Sequence, residues 1–530
     1  MSSVITGDLS TETWKPSSNI WLITIAVMLS TFVVALDGSI ANVALPQMAG
    51  SFSATQDESL WIITSYLVAN GVVLPATAWF SSIFGRKSFL IICIIVFGTA
   101  SFLCGISTSM DMIILFRILQ GFGGGALVPI SQAILLESFP KEKHALANSI
   151  FGLGVILAPV MGPVLGGWLT DTYSWNWIFF INIPICIIAL IMSQIFIEDP
   201  PYMQKKGMQK IDYLGFAALT LWLITLQVAL DNGQKSDWFG SSWVCWTSLT
   251  SAISLTVLVF WELKCKKPLF DLKVFKNRNF TLGTTIFTII IAVLYASMVI
   301  LPLFLQSLLG YSSYHSGIAA SPMGVGSLIA IIFTGVLANR IDLRKQVALG
   351  LILMGLSCYM FGNLNLDISI NNIILPNIIF GAGVALALVP LTTLIFSTLK
   401  NEEMTNAAGL QNLLKNVGGA VGTSLVSTMI SRFSQVHQFE MVKQLSSQNP
   451  AFLSRYSDTM HFLSGYMNPV IAATKANYLM YVNLIKQSYL CAYMDCYRTY
   501  ALIVIILIPT VFLITKIKFD KNKIGSSSIH

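Results

Sequence analysis

The chain has 530 residues, of which 55% are hydrophobic and only 10% are charged, and its formal net charge is +7. A soluble domain carries about 25% charged residues, so this composition indicates a protein that crosses a membrane several times. The basic residues occur in short groups between apolar runs rather than along one face, which argues against a nucleic-acid-binding protein. We therefore expect its surface to contact the lipid bilayer and no nucleic acid.

Fourteen apolar runs are each long enough to cross the hydrocarbon layer of a bilayer, which is about 30 Å thick and needs roughly 20 helical residues. In chain order the runs cover 20–44, 60–80, 89–107, 112–133, 146–168, 177–197, 213–230, 242–261, 280–305, 316–338, 346–364, 373–398, 406–430 and 499–515. The sequence thus predicts an all-α polytopic membrane protein with fourteen transmembrane helices. The cysteines show no metal-ligand spacing, so no metal site is expected.

The loops between these runs differ in charge, and the difference predicts the orientation of the chain. Groups of Lys and Arg recur in the loops of one side, for example Arg86 with Lys87 and the stretch 264–278, whereas the short loops of the other side hold almost none. Because positively charged loops stay in the cytoplasm, both terminal tails, residues 1–19 and 517–530, are predicted to be cytoplasmic. The polar start and the length of the first run argue against a cleaved signal peptide. The expected location is the inner membrane.

The segment 431–498 is predicted to be a long connection on the outer side. Loops longer than about 60 residues cross the membrane largely regardless of their charge, so its basic residues are compatible with this placement. Two stretches, 449–470 and 473–494, have apolar residues at three- and four-residue spacing and are predicted to be amphipathic helices. These helices either pack on each other or dock a partner protein. Cys491 and Cys496 either form a disulfide on this oxidising side or remain free thiols on a helix.

Two pairs of matching stretches predict an internal duplication. AWFSSIFGRK (78–87) aligns with GVLANRIDLRK (335–345), and QGFGGGALVPI (120–130) aligns with FGAGVALALVPL (380–391), at offsets of 257–260 residues. Parallel halves of this kind enclose a central site and rock about it. The predicted parts are an N-terminal six-helix half at 20–197, a two-helix insert with cytoplasmic linkers at 198–279, and a C-terminal six-helix half at 280–516 that includes the outer segment.

Across the fourteen runs only three side chains are charged, namely Asp37, Arg117 and Lys415. An ionised Asp or Arg at the centre of a membrane helix costs about 2.5–3.5 kcal/mol, so each needs a compensating interaction. Asp37 in the first run and Arg117 in the fourth lie at comparable depth and can pair. The pair is either structural or a site for a proton or substrate. Lys415 extends either to the cavity or to the membrane interface.

Seven motifs, in the order in which they occur, carry a resemblance to a known family. They are LDGSIANVALP, RILQGFGGGALVP, GPVLGGWL, SWNWIFFINIP, IDYLG, LPLFLQSLLGYSSYHSGIAASPMGVG and AAGLQNLLKNVGGAVG. With these motifs the chain resembles the fourteen-helix drug/proton antiporter branch of the major facilitator superfamily over nearly its whole length. The resemblance implies the major facilitator fold, with two six-helix halves and two inserted helices.

The resemblance also implies roles for single residues. Asp37 matches an acidic position associated with proton handling, and Arg117 begins a motif linked to proton transfer. The other implied residues are Gln120, Gly121 and Asn42 in the fourth-helix motif and substrate cavity, Gly162, Pro163, Gly166 and Gly167 in the antiporter motif, and Gly85, Arg86 and Lys87 in the cytoplasmic gating loop. Three positions depart from the family pattern. Ser82 and Asn339 stand where the loop motif has an acid, which implies a weaker charge latch, and Asn176 replaces a usual Arg.

The expected function is proton-driven export of amphipathic small molecules by alternating access, with the proton gradient as energy source and no cofactor. The alternative is a facilitator or importer of a small organic solute without proton antiport. An enzyme is not expected, because the histidines lie in loops or at the terminus and no paired-carboxylate motif falls in an apolar run. The two-half repeat argues against a channel. The resemblance further implies a periplasmic adaptor protein and an outer-membrane channel as partners.

Overall fold

The computed structural model describes residues 18–139, 158, 161–199, 212–234, 236–265, 268–337, 341–399, 401–446 and 448–515, and these residues form helices without any strand. The helices in chain order are α1 (Ile20–Ser51), α2 (Gln56–Ser59), α3 (Trp61–Phe84), α4 (Arg86–Gly105), α5 (Met110–Ser138), α6 (161–172), α7 (Trp177–Phe180), α8 (Asn182–Phe196), α9 (Tyr213–Gly233), α10 (Ser242–Lys264), α11 (Arg278–Leu303), α12 (Ser313–Ala320), α13 (Pro322–Leu337), α14 (Leu343–Phe361), α15 (Asn371–Phe396), α16 (Asn401–Val442), α17 (Pro450–Ser464) and α18 (Pro469–Val511).

Ten spans among the described residues are long and apolar enough to cross a membrane. The predicted all-α membrane fold is therefore confirmed. Helices also occupy the remaining predicted runs, as α3, α6, α14 and α16, but the count of fourteen membrane crossings stays a prediction. The first part of the run 146–168 lies outside the described residues, as do most of the two terminal tails.

Three helices extend beyond the apolar runs that predicted them. α1 continues past Pro46 to Ser51, α16 continues to Val442, and the last helix begins at Pro469 rather than near residue 499. Hydropathy detects only the apolar part of a helix, whereas a helix also propagates through polar residues where it packs on a neighbour. The ends of α16 and α18 have such neighbours, because the two helices pack against each other and α17 packs against α18.

Most of the predicted outer segment is thus helical. α18 has 43 residues and is about 65 Å long at 1.5 Å per residue, roughly twice the thickness of the hydrocarbon layer. α17 lies against it through an apolar cluster that contains Leu463, Ala472 and Ala476. Cys491 and Cys496 are free and five positions apart on this continuous helix. The outer segment therefore packs on itself, whether or not it also binds a partner.

Close helix contacts repeat between the two halves. A Cβ on Gly121 of α5 would overlap the carbonyl oxygen of Tyr66 in α3, and a Cβ on Gly381 of α15 would overlap that of Met323 in α13. Glycine at these positions lets the paired helices approach closely. The second contact follows the first by 260 residues in one helix and 257 in the other, which are the offsets of the repeated sequence motifs.

The two inserted helices lie beside the seam between the halves. α9 packs against α3 of the N-terminal half and against α16 of the C-terminal half. α10 packs on α9, and many of its large apolar side chains, such as Trp246 and Phe260, are exposed. Exposed apolar side chains on a membrane helix are suited to contact with lipid. α9 thus contacts both halves.

Candidate functional site

Asp37 and Arg117 form a buried ion pair in the N-terminal half. The Asp37 side chain on α1 is 0% exposed and that of Arg117 on α5 is 1% exposed. Arg117 Nη1 donates a hydrogen bond to Asp37 Oδ2 at 2.5 Å. The two charges that the sequence placed at comparable depth therefore offset one another inside the protein.

The guanidinium of Arg117 is held in place by α3. Its Nε donates to the carbonyl oxygen of Ile62 at 2.9 Å, and its Cζ lies 4.3 Å from the ring centroid of Tyr66. Gly121 follows Arg117 by one turn on the same face of α5 and provides the close approach to Tyr66 described above. Arg117 also donates to Gln120 Oε1 at 2.8 Å. The glycine and the two hydrogen bonds fix the direction from which the charge faces Asp37.

Two neutral donors complete the surroundings of the Asp37 carboxylate. Gln120 Nε2 and Asn182 Nδ2 each donate to Asp37 Oδ1 at 2.9 Å. Asn182 also donates to Ser101 Oγ at 3.0 Å, and Ser101 in turn donates to the carbonyl of Phe179 at 2.9 Å. The Asp37 carboxylate can accept the bonds from Arg117, Gln120 and Asn182 together. Sequence reasoning missed Asn182 and Ser101, although the motif SWNWIFFINIP contains Asn182 as a polar residue in an apolar run.

A cavity lies between the two halves, one turn along α1 from Asp37. Its lining includes Asn42 of α1, Pro163 of α6, Ser297 of α11 and Asn377 of α15. The side-chain oxygens of Asn42 and Ser297 are buried and have no hydrogen-bond partner among the described residues. Such a mostly apolar cavity with a few polar atoms suits an amphipathic small molecule. Asn42 lines it as expected, whereas Gln120 and Gly121 belong to the ion-pair network.

The predicted antiporter motif lies where α6 passes between α1 and α12. A Cβ on Gly162 would lie 2.8 Å from the Cβ of Ser39 in α1, and a Cβ on Gly167 would overlap the backbone of Ser313. Close packing of this kind requires small residues. A Cβ added at Gly162, Gly166 or Gly167 would clash with these neighbours. The fourth motif residue, Pro163, places its carbonyl oxygen against Gly317.

Hydrogen bonds close the two halves at the predicted outer side. Asp171, at the end of α6, accepts bonds from the backbone N–H groups of Ser313 (3.2 Å) and Tyr314 (2.7 Å), which begin α12. A carboxylate is favourable there because of the helix dipole. Gln47 of α1 donates to Asp171 Oδ1 at 3.2 Å and to Ser313 Oγ at 3.0 Å. We call these four residues the outer latch.

The predicted cytoplasmic gating loop is fastened by two acids from elsewhere in the chain. Gly85 has φ of +83°, a conformation that favours glycine. Arg86 forms an ion pair with Glu137 at the end of α5, and the backbone N–H of Lys87 donates to Asp199 Oδ1 at 2.9 Å. The loop thus has an ion pair of its own, and the weaker charge latch expected from Ser82 stays a prediction. Asn339 lies outside the described residues.

Asp231 is a buried acid that the sequence-based reasoning missed. It is 5% exposed near the end of α9 and accepts hydrogen bonds from Thr64 of α3 and Gln227 of α9, both at 2.9 Å. Ser424 of α16 also donates to it. The predicted run ended at residue 230, so Asp231 was not counted among the membrane charges. Its carboxylate links the insert to both halves.

Comparison with known proteins agrees with these observations. Residues 27–423 match the Major Facilitator Superfamily. The chain is 34% identical over 466 residues to the probable multidrug resistance protein EmrY of Escherichia coli (strain K12), covering 87% of this chain and 90% of the relative. It is 33% identical over 438 residues to the multidrug export protein EmrB of the same organism, covering 82% and 85%.

A solved structure has a similar fold. The crystal structure of a bacterial homolog to the human lysosomal transporter Spinster, inward-facing and occupied, matches with a TM-score of 0.57 at 15% identity, covering 93% of this chain and 96% of that one. The resemblance indicated by the seven sequence motifs is confirmed by the family match and by the relatives. The chain belongs to the major facilitator superfamily.

Proposed function

We propose that this chain is a drug:proton antiporter that exports amphipathic small molecules by alternating access. The observation that carries the proposal is the buried Asp37–Arg117 pair beside a cavity that both halves line. The relatives EmrB and EmrY, named for multidrug export and multidrug resistance, support the same class of substrate. Ion pairs buried in membrane helices commonly mark pathways for protons or substrates.

Asp37 is the proton carrier in this proposal. Arg117 and the two amide donors face its carboxylate in this structure. The proposal is that rocking of the halves or a bound substrate separates these donors from Asp37 when it takes up the proton. Moving one proton inward through the membrane potential supplies about 2.3 kcal/mol per 100 mV. Opening of the outer latch would expose the cavity to the other side and complete the exchange.

Transport by the purified chain in proteoliposomes tests this proposal. Efflux of an amphipathic dye is measured with an imposed proton gradient and again after an ionophore has removed it. We expect accumulation against the dye gradient only in the first case. Equal downhill flux in both cases would favour the alternative, a facilitator or importer without proton antiport. Acidification of the opposite compartment during dye movement would be an independent sign of exchange.

The proposal places the chain in the inner membrane with both termini in the cytoplasm, and it involves no enzymatic step and no cofactor. The support is the charge asymmetry of the loops, which favours a cytoplasmic location for the basic stretch 264–278. Reporter fusions check the orientation. A fusion near residue 270 should report the cytoplasm, and an outer location would contradict the map.

We further propose that the outer segment docks a periplasmic adaptor protein, which would connect the chain to an outer-membrane channel. Large apolar side chains on this segment are exposed, including Phe439 (66%), Phe462 (66%) and Tyr466 (78%), and exposed apolar patches favour protein partners. Because α16 and α18 continue into this segment, removal of 431–498 would cut both helices.

A narrower deletion tests the docking. Residues 448–468, which include α17, are replaced by a short Gly/Ser linker between α16 and α18. We expect loss of drug resistance in intact cells and retained efflux in proteoliposomes. Equal loss in both assays would make this region part of the transport fold instead of a docking surface.

A further inference from the structure

Lys415 is, with Asp37 and Arg117, one of the three charges inside the predicted membrane runs. It lies on α16 within a predicted membrane span and is half-buried. Among the residues that the structure describes, no hydrogen bond or ion pair is recorded for its ammonium group. Arg117, in contrast, has Asp37. An unpaired cation inside a membrane protein is costly and commonly marks a ligand site.

A second donor without a partner lies on the same face of the helix. Gln411 precedes Lys415 by four residues, so the two side chains are neighbours on one face of α16. Gln411 is only 7% exposed, and its Nε2 has no hydrogen-bond partner among the residues that the structure describes. A buried amide N–H without a partner is unfavourable. Its occurrence next to an unpaired ammonium group points to an acceptor that a ligand supplies.

A third such donor comes from the neighbouring helix. A Cβ on Gly418 would lie 2.6 Å from the carbonyl oxygen of Thr288, and a Cβ on Gly422 would overlap that of Ala292. α11 and α16 are therefore in parallel register, and Gly418 lies on the same face of α16 as Lys415. Thr284, one turn before Thr288, is level with Lys415 in this register. Its hydroxyl is buried and has no hydrogen-bond partner within the described part of the chain.

We propose that Lys415, Gln411 and Thr284, the donor cluster, bind the anionic group of an exported amphiphile. The ammonium and amide groups offer only N–H donors, and the hydroxyl can donate as well. A carboxylate or another acceptor-rich anion can accept bonds from all three, whereas a cation is repelled. This inference rests on the proposed export function and adds to it a preference for anionic substrates, at a place separate from the Asp37–Arg117 pair.

Binding to the purified full-length chain tests the proposal with two probes of equal chain length and opposite charge, decanoate and decyltrimethylammonium. Lys415→Met should weaken decanoate binding by about tenfold, which corresponds to about 1.4 kcal/mol, and leave decyltrimethylammonium binding unchanged. Lys415→Arg should retain decanoate binding. The matched control is Lys443→Met, one residue past the end of α16, because Lys443 pairs with Glu440 at an exposed position. It should change neither affinity.

Other outcomes overturn the proposal. Unchanged decanoate affinity in Lys415→Met, or equal loss for both probes, would show that Lys415 does not read the charge of the ligand. If Lys415→Met fails to fold, Thr284→Val decides, because it keeps the shape and removes the hydroxyl. It should weaken decanoate alone by about threefold, and any other result counts against the cluster. Binding is measured without a proton gradient, so failure of uphill export in the proteoliposome assay would contradict the proposed function alone.

Discussion

Substitution of Asp37 by Asn separates a proton carrier from a structural ion pair. The carboxylate accepts bonds from Arg117 at 2.5 Å and from Gln120 and Asn182 at 2.9 Å each. Asp37→Asn preserves the volume and one acceptor oxygen but removes the titratable group. Its new N–H₂ group would face the two amide donors. Asn182 can turn its own amide without losing an acceptor contact, because its Oδ1 has no partner.

The structure sets the expected cost of this substitution. Arg117 stays charged after the substitution, so its bond to the Asn oxygen remains a bond to a charged group, which contributes about 1.5–3 kcal/mol. Arg117 also keeps the carbonyl of Ile62 and the Gln120 oxygen as acceptors. The cost should therefore stay below the approximately 3–5 kcal/mol expected when a buried charge loses its partner entirely. Asp37→Asn should therefore fold.

Proton-driven efflux per folded molecule in proteoliposomes is the deciding measurement. If Asp37 carries the proton, Asp37→Asn should reach the membrane at near-normal levels and lose uphill efflux, while exchange without a gradient can persist. Asp37→Glu keeps the titratable group and should retain partial activity. Full efflux by Asp37→Asn would remove Asp37 from the mechanism. A fall in folded protein with unchanged efflux per molecule would identify a purely structural pair.

Three further predictions follow from the packing and the seams between the halves. Gly162→Ala should lower the melting temperature of the purified chain, because overpacking costs about 1–3 kcal/mol. Gly50→Ala is the control and should not lower it, since a Cβ there meets no atom within 4 Å. Equal effects would contradict the close α1–α6 contact. Asp171→Ala should open the outer latch and speed labelling of a cysteine placed at the buried Ser316; an unchanged rate would mean that Asp171 does not hold the halves closed. Asp231→Asn should destabilise the chain more than Asp237→Asn, because Asp231 is buried among three donors and Asp237 is exposed; equal melting temperatures would refute the role of Asp231 at the seam.

The sequence could predict the features that depend on local pattern. Apolar runs and loop charges predicted the helical membrane fold, and the rarity of charge inside the runs singled out Asp37 and Arg117 as a pair. Asn182 and Ser101 were missed because neutral polar residues are inexpensive in membrane helices and common there, so only their contact with Asp37 distinguishes them. The sequence also did not predict which acids contact the gating loop. Glu137 and Asp199 reach it only through tertiary packing, about which a motif comparison gives no information.

Asp231 shows why a hydropathy boundary is a poor guide to burial. The run ended at residue 230 because Asp231 itself and the polar residues after it lowered the local hydropathy, yet α9 continues to Gly233. Burial there comes from α3 and α16, which pack on both sides of α9. Residues at the ends of membrane helices therefore need tertiary information before they can be counted as exposed.

The charged residues in the described membrane helices differ in what offsets their cost, and this difference orders their expected roles. Arg117 faces a carboxylate, so a change of protonation at Asp37 alters the balance of the site and can be coupled to movement. Asp231 accepts hydrogen bonds from the insert and from both halves. When the halves rock, either all of these bonds are retained or the bonds from the two halves break. Lys415 has no hydrogen bond or ion pair among the described residues, and in our proposal a bound anion offsets its charge. In this arrangement the proton would act at Asp37, the contact between the insert and the two halves at Asp231, and the charge of the substrate at Lys415. One chain could then couple these events without placing all three groups at one position.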